Sequence, residues 1–134
     1  MTGIVVAGLL LGHGLIHVGY LTPQPVAKPG APAWPFHLDR SWALGRLGLD
    51  PAMLRVLGTA LVVVAIAGFA LAASASIGVG PAWLWSFGLA LGAVASLATL
   101  GLYFHWWLVL GIGIDVVLLW AVVIAGWTPF GPGR

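Results

Sequence analysis

His13 and His17 stand four residues apart in "GHGLIHVGY", and Asp115 stands in "LVLGIGIDVVLL"; both stretches are otherwise almost entirely Gly, Leu, Ile and Val. Four residues is close to one helical turn, so the two imidazoles share one face of a helix. Ionisable groups in apolar surroundings are costly unless they are paired or neutral. Three chemistries suit this set. The carboxylate can pair with an imidazole and hold a proton or small ligand; each group can stay neutral against a backbone carbonyl; or His13, His17 and Asp115 can act as a two-histidine, one-carboxylate metal set with open positions. Other enzyme signatures are absent: there is no GxSxG, no phosphate-binding glycine loop and no paired-carboxylate arrangement.

The surrounding composition says where such a cluster must live. Of 134 residues, 61% are hydrophobic and 6% charged, and the mean hydropathy is +1.10. A soluble domain carries about 25% charged residues, so this chain cannot cover a water-facing surface and belongs in a bilayer. With no cysteine, disulfides, thiol catalysis and thiolate metal sites are excluded. Five basic residues against three acidic ones are scattered rather than striped, which speaks for membrane topology and against a nucleic-acid partner.

Four segments reach the roughly 20 apolar residues a spanning helix needs, at about 3–21, 52–75, 81–101 and 103–127. They predict an all-α integral membrane four-helix bundle in a single domain, 1–134. The first segment lacks a basic leader and is long for a signal peptide, so it reads as a span. Asp50 and Pro51 supply an N-cap and first-turn proline to the second helix, and Pro81 begins the third. Short links make helices two, three and four antiparallel neighbours. One long loop, 22–50, joins helices one and two; its proline-rich front should be irregular, and "FHLDRSWALGRLGLD" offers a short interfacial helix started by Asp39. Lys28, Arg40, Arg46 and Arg55 lie in or beside this loop, with only Arg134 opposite. The positive-inside rule then places the loop in the cytoplasm and both termini outside, in a bacterial inner membrane.

Level along the membrane normal decides which groups meet. Counted from the terminal side at ~1.5 Å per residue, His13 lies ~15 Å in, His17 ~21 Å in, and Asp115, on an oppositely running helix, ~18 Å in. Asp115 is therefore expected to contact the His13/His17 face. Haem is disfavoured, because His105 lies ~12 Å beyond His17. His105 in "YFHWW" and His37 in "FHLDR" read as interfacial, and with Asp39 and Arg40 they form a possible cluster beneath the loop. Small residues mark helix packing: Gly8, Gly12 and Gly19 on helix one, and Gly88, Gly92 and Ser96 on helix three. Packing within one bundle is the first reading of these stripes, and packing between copies the second. The helix-one glycines face roughly opposite the histidines, so that helix should have neighbours on both sides or a partner chain.

The stretches "HGLIHVGYL", "LDRSWAL" and "HWWLVLGIGIDVVLL" resemble the corresponding parts of a group of small bacterial four-helix membrane proteins with an HGLIHL-type first helix; the chain is more loosely similar to DoxX-like proteins. The resemblance implies the four-helix architecture and a role for the histidine face, and no activity. The function expected is a non-enzymatic accessory or small-ligand-binding component of a homo-oligomer or larger membrane complex, with lipid as its surroundings. The alternatives are a proton-coupled small-molecule carrier and a metal-dependent membrane oxidoreductase.

Overall fold

The computed structural model describes residues 1–26, 28–30 and 32–130. Arg134, the single basic residue expected opposite the loop, lies outside them. Among the described residues the fold is all-helical, with α1 at Thr2–Ile16, α2 at Pro51–Ser76, α3 at Trp83–Leu102 and α4 at Val109–Leu119. With their flanking turns, four helices are long and apolar enough to cross a membrane: Thr2–Leu21, Pro51–Ser76, Trp83–Leu102 and Trp106–Ile124. The fourth ends earlier than its apolar run, because Trp120–Ile124 opens into a π turn and Gly126, at φ +62°, turns the chain out of helical geometry.

Local chemistry sets the helix starts and stops. Asp50 Oδ1 accepts from the backbone N–H groups of Ala52 at 2.8 Å and Met53 at 3.0 Å, with Pro51 in the first turn where its missing N–H costs nothing. His105 plays the same part before α4, its Nδ1 accepting from Trp107 N–H at 3.3 Å. Among the described residues the loop contains no helix started by Asp39. Instead Ser41 initiates a turn, its Oγ accepting from Leu44 N–H at 3.2 Å, and a single 3₁₀ turn follows at Gly45–Leu47. Ser41 also donates to Leu102 O at 2.6 Å, and Trp42 Nε1 donates to Gly101 O at 2.7 Å. The last turn of α3 has no intrahelical partners for its carbonyls, so the loop is held down by the groups that the helix end leaves open.

Packing is most extensive between α2 and α3, with α1 laid on α2 and α4 on α3. Glycine makes the central crossing possible. A Cβ on Gly68 would strike the backbone of Gly92 and, at 2.8 Å, Gly88 O, while one on Gly92 would lie 2.9 Å from Phe69 N. Gly88 and Gly92 thus pack as expected. Gly8 and Gly12 do not: they are exposed, and among the described residues nothing lies within 4 Å of a Cβ at either. Gly19 is covered by a loop residue rather than a helix, the Phe36 ring lying 2.9 Å from its hypothetical Cβ. Within the chain, α1 therefore has its neighbours on the histidine side.

The buried side chains form two apolar clusters. One, nearer the chain termini, includes Leu10, Phe69, Trp85 and Leu89; the other, at the loop end, includes Tyr20, Leu38, Leu54, Val62 and Tyr103. Tyr103, in the link between α3 and α4, donates its buried hydroxyl to Leu54 O. Burial pushes that hydroxyl above its ordinary pKa. Because the folded value is the higher one, the contribution is fully present below about pH 10 and is lost as pH rises beyond it. Tyr103→Phe is expected to cost about 1 kcal/mol at neutral pH and to reduce the alkaline loss of stability, read from unfolding midpoints in detergent at pH ~8 and ~11.

Candidate functional site

On the first, third and fourth spans the polar residues of interest fall between the two apolar clusters. His13 and His17 follow Leu10 and precede Tyr20; Ser96 lies between Leu89 and Leu100; Asp115 comes after Leu108. All four are buried, with His13 8%, His17 2%, Ser96 0% and Asp115 0% exposed. Phe69 walls them in, its ring centroid 5.0 Å from that of His13 and 6.3 Å from that of His17. Gly14 allows that approach: a Cβ there would lie 3.3 Å from Phe69 Cβ.

The contact expected between Asp115 and the histidine face is made directly by His13, whose Nε2 lies 2.7 Å from Asp115 Oδ1. The other carboxylate oxygen, Oδ2, is hydrogen-bonded to Ser96 Oγ, and Ser96 Oγ lies 2.8 Å from His17 Nε2. His17 thus meets Asp115 only through Ser96. In the sequence Ser96 belongs to the packing stripe with Gly88 and Gly92, where its hydroxyl carries no distinct signal.

His17 closes the network on the backbone. The chain tightens from α-helix to 3₁₀ at His17–Leu21, where the His17 N–H bonds to Gly14 O and Leu15 O. His17 Nδ1 donates to His13 O at 3.3 Å.

Counting hydrogens shows which proton patterns these contacts can accept. Ser96 has one hydroxyl hydrogen and faces two groups able to accept it, Asp115 Oδ2 and His17 Nε2. With an ionised carboxylate and a neutral His17 protonated on Nδ1, one acceptor goes unmet, at a cost of about 1–3 kcal/mol for a buried group. One added proton satisfies every contact in either of two ways. A protonated Asp115 donates to Ser96, which donates to His17; or a protonated His17 donates to Ser96, which donates to an ionised Asp115. In both, His13 donates Nε2–H to Oδ1 and the network carries no net charge, as a low-dielectric site favours. The two forms interconvert by paired proton shifts through the Ser96 hydroxyl.

This geometry departs from the metal reading. The donor atoms of His13, His17 and Asp115 are engaged with one another or with Ser96 rather than directed at a common point. Among the described residues no group of three or more His, Asp or Glu side chains is placed to hold an ion. As placed, the residues do not fit the alternative of a two-histidine, one-carboxylate metal set.

The second candidate cluster is divided. His37, Arg40 and His105 line a small cavity of about 190 Å³ with Trp42 and Tyr103. Asp39 lines a different cavity, with Tyr20 and Arg55. His37 Nδ1 is 3.8 Å from Asp39 Oδ1, within reach of an ion pair when the ring is charged but beyond hydrogen-bond range, and it accepts from Gln24 Nε2 at 2.7 Å. No protein-family model, curated protein or solved structure matches the chain.

Proposed function

We propose that this chain is a non-enzymatic multi-pass membrane component whose core binds one exchangeable proton. The observation that carries the reading is the sealed His13–Asp115–Ser96–His17 network, whose contacts are all satisfied only when it holds one proton beyond a carboxylate and two neutral imidazoles. Such a site ties α1, α3 and α4 together, so proton occupancy and helix packing are linked. The basic loop residues Lys28, Arg40, Arg46 and Arg55 favour a cytoplasmic loop in a bacterial inner membrane. The open Gly8/Gly12 face of α1 suits close approach by another copy or another membrane subunit.

Asp115 carboxyl ¹³C and histidine ring ¹⁵N spectra of the protein in nanodiscs test the proton. Between about pH 5 and 9, either the Asp115 carboxyl or the His17 ring is expected to change protonation in the wild type, while His17 stays neutral, protonated on Nδ1, in Asp115→Asn. Asp115 carboxyl and His17 ring signals that are both constant with pH in the wild type would reject the proposal. A proton-coupled carrier is the second reading, favoured because the Tyr20 ring sits 6.4 Å from that of His17 and also lines the cavity beneath the loop. It requires proton flux across liposomes carrying the wild type, and none with Asp115→Asn.

A further inference from the structure

Beneath the loop, a cavity of about 520 Å³ lies between the end of the first span and the start of α2, lined by Tyr20, Gln24, Asp39, Arg55 and Thr59 among others. That volume falls within the roughly 300–1,000 Å³ of small-ligand sites. Two residues of its lining carry a side-chain oxygen that is closed to solvent and has no hydrogen bond among the described residues. One is the hydroxyl of Tyr20, a residue only 6% exposed, and the other is Asp39 Oδ1. His37, 3.8 Å away, is near enough to pair with Asp39 when its ring is charged but gives Oδ1 no hydrogen bond, because its Nδ1 accepts from Gln24. Arg55 lines the same cavity and makes no ion pair among the described residues.

We infer that this cavity binds a zwitterionic group, an ammonium a few bonds away from an acidic group. The ammonium meets Asp39, the acidic group meets the Arg55 guanidinium, and the Tyr20 hydroxyl hydrogen-bonds to one of them. Each wall group has a chemical reason for its partner: a carboxylate lacking a donor takes an N–H, and a guanidinium is matched to carboxylate or phosphate oxygens. The cavity lies at the loop end of the bundle, where α1 finishes and α2 begins, which is headgroup level for a spanning arrangement. An ethanolamine phospholipid headgroup and a free zwitterion of the same chemistry both satisfy it. This inference uses neither Asp115 nor the proton network, so it stands or falls apart from the function proposed above.

Calorimetric titration of the detergent-purified protein separates the cases. The probes are dihexanoyl phosphatidylethanolamine, kept below micelle-forming concentration, and glycerophosphoethanolamine; dihexanoyl phosphatidylglycerol, which lacks the ammonium, is the control. Saturable binding of the ethanolamine lipid alone supports the headgroup as ligand, and binding of glycerophosphoethanolamine supports a free zwitterion. In either case Asp39→Asn and Arg55→Gln are each expected to weaken binding about tenfold or more, and Tyr20→Phe by about threefold to tenfold. Asp39 and Arg55 lie outside the buried core, so these variants should retain the wild-type helix content and elution volume. Failure of both ethanolamine probes, equal binding of phosphatidylglycerol, or affinity unchanged in Asp39→Asn and Arg55→Gln would overturn the inference.

Discussion

Asp115→Ala is expected to lower the unfolding free energy by about 2–3 kcal/mol, whereas Asp115→Asn is expected to cost less than about 1 kcal/mol. Alanine removes both carboxylate oxygens, so His13 Nε2–H loses its acceptor and Ser96 loses one of its two partners in a fully buried position. A buried polar group left unmet costs about 1–3 kcal/mol, and the loss is tempered in a bilayer because the unfolded helices also find partners. Asparagine has the shape and hydrogen pattern of the protonated acid. Its Oδ1 accepts from His13, its amide donates to Ser96, Ser96 donates to His17, and His17 still donates to His13 O. It should therefore keep the fold while fixing the network in one proton pattern. The check is loss of helix circular dichroism during SDS titration of the two variants beside wild type. Equal destabilisation by alanine and asparagine would show that the carboxylate charge, not the hydrogen-bond pattern, holds the helices.

Gly68→Val is expected to be the most damaging substitution in the helix interfaces, at about 3 kcal/mol or more, with Gly12→Val indistinguishable from wild type in monomer stability. The difference lies in what each side chain meets. At Gly68 the new atoms run into the backbone of Gly92 and Gly88, which cannot swing aside as a side chain would, so α2 and α3 must separate. That separation would spread, because Phe69 and Ser96 on these two helices wall and bridge the buried hydrogen-bond network. At Gly12 there is open space. SDS unfolding midpoints measure the stability difference, and elution volume in mild detergent reports assembly. A Gly68→Val protein as stable as wild type would mean that the α2–α3 crossing does not need its glycine contacts. A Gly12→Val protein that elutes smaller than wild type would support packing of a second copy on the exposed glycine face of α1.

The helical architecture follows from one-dimensional information: four apolar runs of spanning length, an Asp–Pro start to α2 and short links between α2, α3 and α4. Axial level is also one-dimensional, since each helical residue advances the chain by ~1.5 Å, and it places Asp115 between His13 and His17. In three dimensions Asp115 meets one histidine directly and the other through a single hydroxyl. The choice of that hydroxyl was not available from the chain alone. Ser96 continues the four-residue spacing of Gly88 and Gly92, and a small residue at a helix crossing has the same pattern whether it clears space or donates a hydrogen bond. The same ambiguity covers the glycines, because "GLLLG" in α1 and the Gly88/Gly92 pair share a spacing while only the second has a helix of this chain against it. Periodicity specifies the direction a residue faces around its own helix axis, not what occupies that direction. Partner, proton count and the seating of the loop on the α3 carbonyls depend on how four nearly uniform apolar surfaces are rotated against one another, and in this chain close glycine contacts and the hydrogen bonds between helices set that rotation.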